Sequence, residues 1–177
     1  TLPSAPDRSQ VAMTNSIYVY DGDPEQAVPH AHGHRLNGNG KDVRLPLIMT
    51  GPLAFDLRTR FPRPRIDDGA LTSALGSEMS RFDRWCSTNI TVGGRSDVLF
   101  VKLYCHGFFD HDQSHSIGEE AARFFGEIVE RGAKTGKYTV HFTSAREMFN
   151  IAMAVAQNKR GDVNQYRNFL LKPIMSS

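Results

Sequence analysis

A chain of 177 residues is long enough for one domain with a substantial core, because a chain near this size buries roughly 70% of the surface it exposes unfolded. Its 21 basic and 19 acidic residues leave a net charge of +2, too small for a long-range field, so neither nucleic acid nor an acidic membrane is expected as a partner. Apolar residues make up 40% of the chain without any run near the ~20 that a spanning helix needs, and its two scattered cysteines, Cys86 and Cys105, suit a reducing, cytoplasmic compartment.

The sequence opens on Thr1-Leu2-Pro3-Ser4-Ala5-Pro6, with no initiator Met and no signal-peptide pattern, and its two prolines favour an extended path from an element expected upstream. Asn15 to Tyr20 is β-branched and aromatic and is stopped by Asp21-Gly22-Asp23-Pro24, which predicts a strand and a turn. Glu25 to Asp42 is polar and glycine-rich and reads as a long loop. It carries His30, His32 and His34 at alternate positions.

Leu45 to Met49 is an apolar run before Thr50-Gly51-Pro52 and predicts a second strand, with Pro46 at its start or on an edge. Arg58 to Gly69 holds four arginines around Pro62 and Pro64 and reads as a surface excursion. A helix is expected to begin at Ser77, with Met79, Phe82 and Cys86 on its apolar face and Arg81, Asp83 and Arg84 largely opposite. Val98 to Gly107 is the most strand-like segment, and its leading apolar residues suggest a central strand covered on both faces.

Ser116 and Glu119 have capping-box spacing, which predicts a helix to about Arg131 with Ala121, Phe124, Phe125 and Ile128 as its apolar stripe. Tyr138 to Thr143 reads as another strand. Ser144 and Glu147 repeat the capping-box spacing ahead of Met148, Ile151, Ala152 and Val155, which recur at helical intervals until Asn158 and Gly161. This alternation predicts a single α/β domain over residues 1–177 with mainly parallel strands, and in such folds ligands gather beyond the carboxyl ends of the strands.

Lys102, Tyr104 and His106 alternate along the expected central strand, so period-two geometry places all three on one face. Burying unpaired polar groups costs ~1–3 kcal/mol each, which favours a barrel interior or pocket wall with His106 at its mouth, the alternative being a histidine hydrogen-bonded inside a core. His141 and Thr143 share a face of the next expected strand and could converge on that pocket or serve as structural hydrogen-bonding groups. His30, His32 and His34 could present three imidazoles to a transition metal, although a glycine-rich loop holds such ligands poorly. Asp110, His111, Asp112 and His115 read as a rim with a helix cap. No dinucleotide fingerprint, P-loop, Gly-x-Ser-x-Gly or His-Glu-x-x-His occurs.

Leu2-Pro3-Ser4-Ala5-Pro6 with Gln10, Asn15-Ser16-Ile17-Tyr18, Gly51-Pro52-Leu53, Phe100-Val101-Lys102-Leu103 with His106-Gly107, and Thr143 to Met148 stand in an order that resembles polysaccharide-deacetylase-like proteins of bacterial surface-polysaccharide gene clusters. The resemblance spans the chain but covers only the C-terminal half of such a protein. It implies the C-terminal part of a distorted (β/α) barrel, a carbohydrate substrate, and a divalent metal, zinc foremost, held by an Asp and two His from an N-terminal half. The family's late strand-end histidine maps onto His106, which would help stabilise or protonate the reacting group. Lys102, Tyr104 and His141 would contact substrate, as would Ser4, since the arginine of classical deacetylases has no counterpart in Leu2 to Gln10. Cys105 stands where the family carries Thr.

Two functions follow as expectations: a metal-dependent deacetylase-like hydrolase acting on acetylated sugars, or a carbohydrate-binding or regulatory module that has lost hydrolysis. Half a barrel would leave sheet edges open, so pairing with a missing half or self-association is expected.

Overall fold

The structure is a computed structural model and describes residues 13–23, 33–38, 46–56, 65–105 and 109–173. Contacts divide the chain into two compact units, one from described residues within Thr1–Thr50, Thr91–Leu99 and His141–Ser177, the other within Gly51–Ile90 and Phe100–Val140.

In the first unit, β1 (Ile17–Tyr20) lies between β2 (Gly33–Arg35) and β3 (Leu47–Met49), and both pairings are antiparallel. All four β1 side chains are buried, as suits a central strand of β-branched and aromatic residues. Tyr20 pairs with Gly33, where a Cβ would come within 2.2 Å of the Val19 carbonyl oxygen, so only glycine fits. The start of β1 is tied to the end of β3 by the Thr50 hydroxyl, which donates to the Met13 carbonyl at 2.6 Å and accepts from the Ser16 N–H at 3.1 Å.

The same unit contains the C-terminal helix Ala145–Ala156. Ser144 Oγ accepts from the Glu147 N–H at 3.3 Å and Glu147 Oε2 accepts from the Ser144 N–H at 2.9 Å, so this capping box forms as its spacing predicts. Asn150 to Ala156 are all buried. Ser144→Ala is expected to destabilise this unit by about 1 kcal/mol in a urea titration, the usual worth of an N-cap hydroxyl.

In the second unit, β4 (Ala54–Asp56) and β5 (Arg65–Asp67) form an antiparallel ribbon. Three helices follow: α1 (Met79–Ser87), the single turn α2 (Gln113–Ser116) and α3 (Glu119–Thr135), which makes the C-terminal helix α4. Trp85, Phe124 and Ile128 form the core, with Leu71, Met79, Phe82, Val101, Leu103, Phe125, Tyr138 and Val140 packed on it. Trp85 and Phe124 meet edge to face at 5.7 Å between centroids. At Gly132 of α3 a Cβ would stand 2.7 Å from the Tyr138 ring and carbonyl, and the Tyr138 hydroxyl donates to the Ile128 carbonyl at 3.0 Å, so the absent side chain seats Tyr138 on the helix.

These observations overturn the expected (β/α) barrel. The strands are antiparallel, and the only parallel pairing among the described residues is an isolated bridge between Ala70 and Tyr104. Residues 98–105 and 138–143 run without ladder partners. The Phe100 N–H donates to the Ile90 carbonyl at 2.9 Å and the Tyr104 N–H to the Gly69 carbonyl at 3.3 Å, while Val101, Leu103 and Val140 pack on the helical core. An alternating apolar pattern thus finds its buried face against helices without entering a sheet, because strand propensity records fit to a half-buried surface. Without a half barrel, the expectation of self-association through open barrel edges loses its basis.

Two helix starts also differ from their spacing. Ser116 ends α2, while α3 begins after Gly118 with no side-chain cap, so the Ser116 and Glu119 box does not form. The α3 helix then runs past Arg131 to Thr135 and closes on left-handed Gly136 at φ 64°. Helix α1 begins at Met79, and its deepest residues are Arg81 and Trp85, both 1% exposed, so Arg81 does not lie on a solvated face.

Candidate functional site

The described polar groups with site-like geometry converge where residues 67–71 run beside residues 102–104. Left-handed Gly69, at φ 78°, lets the chain turn after β5, and the Tyr104 main chain receives Leu71 N–H at 2.8 Å while donating to Gly69. Adjacent carboxylates then take different roles.

Asp67 is 1% exposed and accepts from Arg81 Nε at 2.9 Å, Arg81 Nη2 at 2.9 Å and Trp85 Nε1 at 3.0 Å. Burial alone would raise its pKa, but the Arg81 and Trp85 hydrogen bonds, the Arg81 charge and the Gly69 N–H together lower it to about 2. The remaining Arg81 donors reach the Gly76 and Ala70 carbonyls at 2.6 and 2.8 Å, so the buried guanidinium is well partnered. Its carbon lies 4.8 Å from the Trp85 ring centroid.

Asp68 turns the other way. One of its oxygens accepts from the Ala70 N–H at 3.2 Å and the other from the Tyr104 hydroxyl at 2.5 Å. Burial, the hydrogen bond to Asp68 and the Asp68 charge push the Tyr104 pKa up to about 12, so this phenol keeps its proton at neutral pH. Lys102 Nζ stands 5.4 Å from the Tyr104 ring centroid. Asp68, Tyr104 and Lys102 are all partly exposed, and together they form a strip holding a carboxylate, a phenol and an ammonium. Such a set suits hydrogen bonding to hydroxyl-rich ligands.

Of the residues singled out in the sequence, Lys102 and Tyr104 are therefore together. His106, Ser4, His30 and His32 lie outside the described residues. His34 is exposed in the first unit, with its Nδ1 2.9 Å from an Asp21 oxygen. His141 is in the same unit, half-buried, with its Nδ1 3.2 Å from Asn164 Oδ1.

The rim cluster is a tether. Asp112 accepts from the Ser73 N–H at 2.7 Å and from its hydroxyl at 2.9 Å, and the Ser77 hydroxyl and His115 Nδ1 are 2.9 Å apart. The Ser73 N–H, despite an opposing contribution from burial, helps hold the Asp112 carboxyl below its ordinary range together with the Ser73 hydroxyl and the His111 and His115 charges. Ser77 is 5% exposed, so its hydroxyl serves the tether and is not open to a substrate.

Sequence reading passed over Asp68, although Asp67-Asp68-Gly69 and the His111-x-x-x-His115 spacing are written in the chain. They are the residue types that the resemblance places around a metal. Here Asp67 is committed to Arg81 and Trp85, Asp68 to Tyr104 and His115 to Ser77. Among the described residues no three His, Cys, Asp or Glu side chains are grouped to hold a metal ion. Cys86 and Cys105 are free thiols, and no helix among the described residues is long and apolar enough to cross a membrane. No family model matches the chain, and no curated protein or solved structure matches it.

Proposed function

We propose that this chain is a carbohydrate-acting protein of the deacetylase-like hydrolase type, in which Asp68, Tyr104 and Lys102 bind sugar hydroxyls and His106 donates a proton to the leaving group. The observation that carries this reading is the 2.5 Å hydrogen bond from the Tyr104 phenol to Asp68, beside the Lys102 ammonium and two residues before His106. A carboxylate accepts from sugar hydroxyls and an ammonium donates to them, while the phenol fixes the carboxylate's direction. His106 suits the acid role because an imidazolium gives up its proton near neutral pH.

A second reading, a carbohydrate-binding module without turnover, is favoured by one specific feature. The Tyr104 phenol, with its pKa near 12, serves hydrogen bonding and not proton transfer at neutral pH.

Calorimetric titration with N-acetylglucosamine oligomers, paired with an acetate-release assay with and without added zinc, tests both. Saturable binding that weakens about tenfold in both Tyr104→Phe and Asp68→Asn is expected, the scale of one charge-assisted hydrogen bond. Acetate release lost in His106→Ala supports the hydrolase, and binding without release supports the module. Absence of both binding and release from a cooperatively melting protein overturns the two readings together.

A further inference from the structure

The three polar groups of the strip differ in how much of their hydrogen-bonding capacity is already used. Asp68 accepts from the Ala70 N–H at 3.2 Å on one oxygen and from the Tyr104 hydroxyl at 2.5 Å on the other. Tyr104 spends its one phenolic proton on that carboxylate. Lys102 is placed differently. An ammonium has only donors, and among the described residues no hydrogen bond or ion pair engages those of Lys102.

What holds Lys102 Nζ is the face of the Tyr104 ring, whose centroid is 5.4 Å away. A ring face attracts the charge without accepting all of its N–H bonds, so it orients the ammonium and leaves it able to donate. The cations of α1 in the same unit are already matched, since Arg81 and Arg84 stand against Asp67 and Asp56. The largest unfilled capacity in the strip therefore belongs to a cation that lacks an anionic partner.

We infer that the site takes an acidic sugar, in which a uronate carboxylate or a sulfate ester accepts from the Lys102 ammonium while hydroxyls of the same saccharide donate to Asp68. This rests on the sugar-binding reading above and names its substrate class. An ammonium is a compact charge with rotatable donors and reads the sign of a group more than its shape, so carboxylate and sulfate are two sources of one chemistry. A neutral sugar would leave the ammonium to water. A cationic amino sugar would meet it as a like charge, and that repulsion selects against it.

Calorimetric titration of the full chain with hexasaccharides tests the inference. The probes are neutral N-acetylglucosamine, its 6-O-sulfated form, hyaluronan, in which glucuronate alternates with N-acetylglucosamine, the methyl ester of that hyaluronan, and cationic glucosamine. At low salt at least one acidic hexasaccharide is expected to bind about tenfold tighter than its neutral counterpart, the scale of one charge-assisted hydrogen bond, and the preference should shrink as salt rises. A preference for hyaluronan over its ester identifies a uronate, and a preference for the sulfated over the unsulfated probe identifies a sulfate. The comparison is made on the natural chain and does not depend on a variant that folds. Lys102→Gln should abolish the preference and Lys102→Arg should retain it, with both melting as the natural chain does because the side chain is partly exposed. Binding of the neutral probe with no gain from either anion, an undiminished preference in Lys102→Gln, or tighter binding of the glucosamine probe than of the acidic ones overturns the inference and leaves the sugar-binding reading in place. No binding of any probe by a cooperatively melting protein overturns both.

Discussion

Asp67→Asn is expected to lower the unfolding free energy by about 3–5 kcal/mol, the typical cost of removing one partner from a buried ion pair. The reason is the geometry around Arg81. Its guanidinium is 1% exposed, and Asp67 supplies the only carboxylate hydrogen-bonded to it among the described residues. Asn keeps the size and one acceptor but leaves that cation without its counter-charge and costs either the Arg81 fork or the Trp85 indole its acceptor. Arg84, 3.4 Å from the same carboxylate, would lose a second interaction while keeping Asp56 at 3.2 Å.

The same carboxylate gives a pH dependence of fixed sign. Its folded-state pKa near 2 lies below the ordinary 3.8, so its contribution is fully present above pH 3.8 and is lost as pH falls toward 2. That difference corresponds to a contribution on the order of 2 kcal/mol. Urea titrations at pH 7 and pH 3 should therefore show stability falling on acidification in the natural chain, with a smaller fall in Asp67→Asn. Equal midpoints for the two proteins at pH 7 would show that the ion pair is not an anchor of this unit.

The helical parts were the most legible in the sequence, and the reason is local. The α4 capping box lies within four residues, and the apolar recurrence in α3 and α4 repeats at the period of the helix itself, so neither needs a distant partner to be recognised. Residues 17–20 were legible as a strand because apolar and aromatic residues meet an unambiguous turn. Sheet order was not legible. A segment such as Val98 to Cys105 has the composition of a central strand, but whether it joins a ladder depends on what runs beside it, and here a turn at Gly69 and the α1 and α3 helices do.

The polar strip was half legible for the same reason. Alternation put Lys102 and Tyr104 on one side, but Asp68 reaches them from 36 residues away and through an isolated bridge that no local period announces. Arg81 was misplaced because hydrophobic patterning assigns every arginine to solvent. Its burial follows from Asp67, a residue that stood within a stretch read as surface.

Asn150→Ala is expected to release the C-terminal segment from α4. Asn150 sits in the helix interior, fully buried, where a polar residue breaks the apolar pattern, and its side chain explains the exception. Its Nδ2 donates to the Arg167 and Leu171 carbonyls at 2.7 and 2.8 Å, and its Oδ1 accepts from the Leu170 and Leu171 N–H groups at 3.1 and 2.8 Å. One amide thus satisfies four main-chain groups, its full capacity on the donor side and both lone pairs on the acceptor side. Arg146 Nη1 also reaches the Arg167 and Leu171 carbonyls, at 3.2 and 2.6 Å, so in Asn150→Ala those acceptors keep a partner while the two N–H groups lose theirs. Leaving them buried would cost ~1–3 kcal/mol each, more than a short segment with half-exposed Leu170 and Leu171 can offset, so the segment should peel away and rehydrate. Hydrogen exchange at the Leu170 and Leu171 amides is expected to accelerate roughly a hundredfold, the equivalent of about 3 kcal/mol, while the amides of residues 151–156 slow or quicken only with global stability. Arg146→Ala, which removes donors but leaves the Leu170 and Leu171 N–H groups paired, should have a smaller effect on those two amides. Unchanged exchange at both amides in Asn150→Ala would mean that something other than this side chain holds the segment.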